Sequence, residues 1–168
     1  MQSITEYDME NRPSKHIIDT TSKILETKYN YYDELGNITH KVSITKDGVI
    51  KEALHYCYDG MNRLKSDKRY KQGNLFDYYN EYSYDDNGNI ITKESFDEAG
   101  LLIAKVQYTY DSIIKDQLKS ISETIYQNGV IIATNTKQFN YLDSYRFNPT
   151  SYVDNGLSYG LVWEGRRL

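Results

Sequence analysis

Hydrophobic and polar positions alternate along the chain in short runs separated by clusters of Gly, Asn and Asp, the period-two signature of half-buried strands joined by turns. One parity reads Leu54, Tyr56, Tyr58, then Asn80, Tyr82, Tyr84, then Val106, Tyr108, Tyr110. The other reads His55, Cys57, then Glu81, Ser83, then Gln107, Thr109. This predicts strands with one aromatic face and one small or polar face. An earlier run, Lys28-Tyr29-Asn30-Tyr31-Tyr32, departs by placing aromatics on both parities.

The strands recur. Tyr-Asp pairs stand at Tyr7-Asp8, Tyr32-Asp33, Tyr58-Asp59, Tyr84-Asp85 and Tyr110-Asp111, at offsets of 25, 26, 26 and 26 residues. A fixed period in this range marks a repeat architecture. Three residues after the aspartate comes Asn11, Gly36, Asn62 or Gly88, residue types that tolerate positive φ. An aspartate opening a type I turn accepts from backbone N–H groups two and three residues on, which makes each motif strand, turn, strand. Ile38, Leu64 and Ile90 open the strand that follows.

A second turn signal lies halfway through each repeat, at Lys46-Asp47-Gly48, Gln72-Gly73-Asn74, Glu98-Ala99-Gly100 and Gln127-Asn128-Gly129. Asp-Gly and Asn-Gly predict two-residue type I′ hairpins there. The fold class expected is all-β: tandem antiparallel β-hairpin repeats, about ten to twelve strands, forming one extended, curved, twisted sheet. Residues 1–138 read as about five such repeats and residues 139–168 as a degenerate terminal repeat. Around Asp111 the pattern loosens, and Ile114, Leu118, Ile121 and Ile125 also fit helical spacing. The Asn128-Gly129 turn and the run Val130-Ile131-Ile132 favour strands there instead.

Composition changes the picture in two ways. The 168 residues contain 18 tyrosines, and the repeat turns that excess into a cross-strand ladder in which Tyr56, Tyr82 and Tyr108 follow one another at successive repeats. Mean hydropathy is low at −0.73, but aromatics at 14% argue against a disordered chain. The net charge of −4 and the pI near 5.4 exclude the clustered cationic surface that nucleic acid requires. No apolar run approaches the ~18 residues of a membrane-spanning helix. A single Cys57 excludes an internal disulfide.

Tyr-Asp-x-x-Gly/Asn-Asn/Arg-Ile/Leu in tandem resembles the YD repeat of bacterial Rhs and wall-associated proteins, which is similar to the repeat of animal teneurins. The tail, Asn148-Pro149-Thr150-Ser151-Tyr152 followed by Trp163-Glu164-Gly165-Arg166-Arg167-Leu168, resembles a segment of clostridial-type Rhs proteins. The resemblance covers nearly the whole chain. It implies a sheet that spirals into a shell wall around a toxin, of which this chain is an open segment, secreted or at the cell surface. It also implies carbohydrate binding as a second function. Those shells use many more repeats, and their self-cleaving end has no counterpart here.

Candidate chemistry is sparse. His16, His40 and His55 show no ligand spacing in the sequence, and Cys57 shares only a strand parity with His55. Paired carboxylates could hydrolyse glycosides, but Asp8, Asp33, Asp59, Asp85 and Asp111 recur with the repeat and are explained by their turns. Asp85-Asp86-Asn87-Gly88-Asn89 lacks the glutamate that closes a calcium loop, having Phe96 at the twelfth position. The expectation is a non-enzymatic chain with no metal and no cofactor. Its structural motif residues are Tyr7, Asp8, Asn11, Tyr32, Asp33, Gly36, Tyr58, Asp59, Asn62, Tyr84, Asp85, Gly88, Tyr110 and Asp111. Tyr56, Tyr82 and Tyr108 are candidate glycan-facing aromatics, if they are not the core layer of the sheet. Unpaired edge strands predict self-association or pairing with further repeats.

Overall fold

The computed structural model describes residues 2–20, 23–114, 116–141 and 148–161. The strands are β1 (Gln2–Tyr7), β2 (Pro13–Thr20), β3 (Lys23–Tyr32), β4 (Ile38–Thr45), β5 (Ile50–Tyr58), β6 (Leu64–Lys71), β7 (Leu75–Tyr84), β8 (Ile90–Phe96), β9 (Leu102–Tyr110), β10 (Leu118–Gln127), β11 (Val130–Asn140), β12 (Ser151–Asp154) and β13 (Leu157–Gly160). All thirteen hydrogen-bond in chain order as one antiparallel sheet. No helix among the described residues is long and apolar enough to cross a membrane. The tail segment from Trp163 to Leu168, and the Leu142-Asp143 pair of the last copy, lie outside the described residues.

The strand count exceeds the expected ten to twelve because the glycine-bearing link near the C-terminus is itself a hairpin. Asn155 (φ 48°) and Gly156 (φ 85°) form a two-residue loop between β12 and β13. The strands it joins have only four residues each.

Two of the four mid-repeat turns differ from the type I′ expectation. At 46–48 and 98–100 only the glycine has positive φ, 78° at both Gly48 and Gly100. The Gly48 amide donates to the Thr45 carbonyl (3.0 Å) and the Thr45 amide to the Val49 carbonyl (2.9 Å); Asp97, Gly100 and Leu101 repeat the arrangement. These are three-residue loops, a type I turn closed by a left-handed glycine whose bulge restores the strand twist. At Asn128 (φ 52°) and Gly129 (φ 77°) the two-residue form holds. At Gly73 (φ 77°) and Asn74 (φ 62°) both residues are likewise left-handed, as the two-residue form requires.

The chain divides into two compact units, Met1–Asn80 and Glu81–Leu168, with β7 running across the division. In the first unit the most buried residues are Ala53, at 2% exposure, with Thr27, Ser43, Asp67 and Asn80. The last two share a bond: Asn80 Nδ2 donates to Asp67 Oδ2 at 2.9 Å. In the second, Gln117 is the buried side chain among the described residues, and hydroxyl pairs bridge neighbouring strands at Ser83–Thr92, Thr109–Ser120 and Ser122–Thr136. No described tyrosine is fully buried, and those of the ladder, Tyr56, Tyr82 and Tyr108, are half-buried. With so little apolar area sealed, backbone ladders and turn bonds carry a larger share of each unit's stability than a hydrophobic core would.

Candidate functional site

The repeated Tyr-Asp motif is a two-part clamp. Its aspartate works at the turn. Asp59 Oδ1 accepts from the amides of Met61 (2.9 Å) and Arg63 (2.9 Å), two and four residues on. Asp8, Asp33 and Asp85 do the same with Glu10 and Arg12, Leu35 and Asn37, and Asn87 and Asn89. The amide three residues on bonds the backbone in these turns. The fourth residue is left-handed (Asn11 φ 60°, Gly36 φ 86°, Asn62 φ 65°, Gly88 φ 89°), and its amide donates instead to the aspartate's own carbonyl. Asp111 follows the expected geometry, bonding Ile113 (2.8 Å) and Ile114 (3.0 Å).

The second carboxylate oxygen explains the alternation of Arg and Asn at the fifth place. Arg12 Nε (2.7 Å), Asn37 Nδ2 (3.0 Å), Arg63 Nε (2.8 Å) and Asn89 Nδ2 (3.1 Å) all donate to it. The sequence alone assigns this position no partner. Neighbouring turns then touch one another: Asn37 Nδ2 donates to Asn62 Oδ1, Arg12 Nη1 to the Asp33 carbonyl (3.4 Å), and Asn89 Nδ2 to Asp116 Oδ1 (3.0 Å). The Arg12 guanidinium also lies 4.5 Å over the Tyr32 ring.

These partners hold the carboxyls below their ordinary range. The Arg12 amide leads at Asp8, the Asn37 side chain at Asp33, the Arg63 amide at Asp59 and the Ile114 amide at Asp111. At Asp85 burial pushes upward, and the Asn89 side chain and amide outweigh it.

The tyrosine works across strands. Tyr32 Oη donates to the Pro13 carbonyl (2.8 Å), Tyr58 to Ile38 (2.9 Å), Tyr110 to Ile90 (3.0 Å) and Tyr141 to Leu118 (2.7 Å). Each acceptor opens its strand and lies two residues before the register with the strand that follows: β4–β5 pairing begins at His40, β10–β11 pairing at Ser120. The hydroxyl satisfies a carbonyl that the ladder leaves open. Burial holds Tyr58, Tyr110 and Tyr141 above the usual phenol pKa, so each stays a donor. Tyr141 thereby takes the repeat's tyrosine role, although its spacing from Tyr110 departs from the period.

A bulge beside each turn accompanies the clamp. Tyr7 pairs with Pro13, Tyr32 with Ile38 and Tyr58 with Leu64, each with a register shift at the preceding residue. Tyr84 closes β7 and Tyr108 lies on β9 opposite Ile121. Tyr56 is half-buried, with Lys41 Nζ 5.7 Å from its ring, and lines a shallow recess of about 380 Å³ with Tyr58 and Ile38. Tyr82 and Tyr108 are half-buried in the second unit.

A row of rings crosses the first unit through His55, which the alternation places on the small or polar parity. Tyr31–His40 centroids are 6.3 Å apart, His40–His55 4.3 Å, His55–Tyr70 4.8 Å and Tyr70–Phe76 5.6 Å. Translation by one period could not reveal this row, because it draws on both strands of each hairpin. His40 and His55, fifteen residues apart in the sequence, stand directly opposite in the β4–β5 register. Burial, His40 and Lys68 lower the His55 pKa. Cys57 is exposed.

Charged side chains bridge strands of the same unit. Arg69 Nε lies 2.7 Å from Glu52 Oε1, and Ser43 Oγ donates to Glu26 Oε1. A groove of about 880 Å³ in the first unit is lined by Tyr7, Tyr32, Glu26, Lys28, Asn30 and Glu52 among others. No three His, Cys, Asp or Glu side chains converge on a metal-sized point among the described residues.

Fold and site together define a class, an all-β protein of tandem antiparallel hairpins fastened by Tyr-Asp turns. No family model matches the chain, and no curated protein matches it. Among solved structures it is similar to TcdB2-TccC3 without its hypervariable C-terminal region, at 14% identity and TM-score 0.41, over 89% of this chain and 9% of that one. TcdB2-TccC3 itself is similar at 14% identity and TM-score 0.38, over 82% and 9%. A porin-like protein from Bacteroides uniformis is similar at 9% identity and TM-score 0.39, over 94% of this chain and 84% of that one. The chain thus spans under a tenth of the TcdB2-TccC3 chains, and all three scores lie below the similarity that marks a common fold.

Proposed function

We propose that the chain is a non-enzymatic structural segment of an Rhs-like, YD-repeat surface or toxin-delivery protein, contributing a strip of β-sheet to a larger wall. The observation that carries this reading is that the repeated polar residues are spent on holding strands together: each Tyr-Asp aspartate saturates a turn, and Tyr32, Tyr58 and Tyr110 cap strand carbonyls. These residues are accounted for by the fold without a catalytic role.

The partners proposed are further strands. β11 pairs with β12 only over Lys137–Asn140, while Val130, Ile131 and Ile132 are 65%, 57% and 58% exposed. No charge guards that stretch, and such an edge invites strand addition by another repeat or another copy. Light scattering against concentration tests this. A dimer or larger species is expected, and Ile131→Lys should return it to monomer; a wild-type monomer at high concentration argues against the edge. A secreted or surface location goes with this reading.

A second reading, carbohydrate binding, draws on the groove beside Tyr7 and Tyr32, which pairs aromatic rings with amide and charged groups suited to a saccharide. A glycan array with wild type and Tyr32→Ala separates the two. Binding lost in the variant favours it, and an array without signal leaves the structural reading alone.

A further inference from the structure

The cross-strand histidine pair of the first unit is chemistry that the repeat does not account for. One period beyond His40 and His55 stand Ser66 and Glu81, so neither imidazole is a repeat position. The two rings meet because β4–β5 pairing sets His40 opposite His55, with centroids 4.3 Å apart and planes at 69°. Nitrogens that share one zinc ion at 2.0–2.1 Å each lie about 3 Å from one another. Facing imidazoles at this separation reach that spacing by side-chain rotation alone.

Two features prepare the pair. His40 Nδ1 lies 3.1 Å from Thr39 Oγ1, and the tautomer that donates Nδ1–H to the hydroxyl leaves the Nε2 lone pair available, as the outer-shell partners of metal-bound histidines do. The flanking rings, Tyr31 at 6.3 Å from His40 and Tyr70 at 4.8 Å from His55, restrict the imidazoles from both sides. Lys68, opposite His55, is the cation facing the pair; its side chain is exposed and free to swing into solvent.

We propose that His40 and His55 form a two-histidine chelate for a divalent transition-metal ion of the zinc type, with water in the remaining positions, and that the bound ion staples β4 to β5. Imidazole ligands suit zinc, nickel and copper over calcium or magnesium. The site is independent of the wall-segment reading and stands or falls separately from it.

The test titrates Zn²⁺ into the untagged chain by calorimetry, with thermal melting in parallel. One ion per chain is expected, together with a zinc-dependent rise in melting temperature. His40→Ala and His55→Ala should each weaken binding about tenfold or more. His16→Ala should leave it unchanged, since His16 lies against Thr5 on another strand pair. Melting in chelator shows whether each variant is folded, and His40→Gln and His55→Asn serve where an alanine variant is not. Zinc uptake that persists in the double histidine variant overturns the proposal, and so does the lack of any saturable uptake by wild type.

Discussion

The turns at Asp59 and Asp111 do the same job with different parts. At Asp59 a left-handed Asn62 closes a tight loop, and the Asp59 amide donates to the Arg63 carbonyl at 2.8 Å. At Asp111 no left-handed residue stands at the fourth place, the loop is two residues longer, and the Asp111 amide donates to the Gln117 carbonyl at 2.8 Å. Lys119 Nζ, 3.3 Å from Asp111 Oδ2, takes the place of Arg63. Two things survive the insertion: the aspartate that gathers amides, and the preceding tyrosine that caps the earlier strand. The loop between strands is therefore adjustable, whereas the bonds at its two ends are not.

Breaking the shared parts should have the largest effect. Tyr58→Ala and Tyr110→Ala each remove a half-buried ring and a strand cap, and each should lower unfolding free energy by about 2–4 kcal/mol in urea titration. Similar losses at the two sites support a common clamp, and a loss confined to Tyr58 breaks the comparison. Next, Gly88→Ala should cost about 1–2 kcal/mol, because φ at Gly88 is 89°. Ile114→Gly, at the nominally equivalent place in the long loop, should bring no gain. Tyr58→Phe and Tyr110→Phe isolate the hydroxyl and should each cost about 1 kcal/mol, leaving a carbonyl unsatisfied.

Smaller effects test the carboxylates. Asp8, Asp33, Asp59, Asp85 and Asp111 are all held below their ordinary range. A carboxylate whose folded pKa is lowered contributes stability above its unfolded pKa and loses it as pH falls through the folded value. Stability should thus decline below about pH 4, and Asp59→Asn should flatten that part of the curve. An unchanged slope in Asp59→Asn would mean that the turn bonds are indifferent to charge. The smallest change is expected from Arg63→Ala, which removes a partly exposed ion pair with Asp59 and leaves the amide bonds to that carboxylate in place. Its melting temperature should fall slightly and converge on wild type at high salt.

Much of this molecule was written in local sequence. Tyr-Asp at a fixed period, with Gly or Asn three residues on, specified the hairpins because an aspartate-gathered turn and a left-handed residue depend on a few adjacent residues. The same locality failed at the mid-repeat turns. Asp47-Gly48 satisfies a two-residue loop as well as a three-residue one, and the bulge that decides between them lies in the register of the opposite strand. The work of the tyrosines was hidden for the same reason, since Tyr58 and the carbonyl it caps are twenty residues apart.

Sequence by itself determined the all-β class, the repeat and the turn residues, all of which follow from side-chain and backbone preferences within one loop. Tertiary structure decided which strand position faces which. It placed the Tyr58 hydroxyl on Ile38, Asp67 against Asn80, and His40 against His55. Those meetings depend on register, and register is set by bulges and pairing across strands, where a one-residue slip exchanges the two faces of a strand.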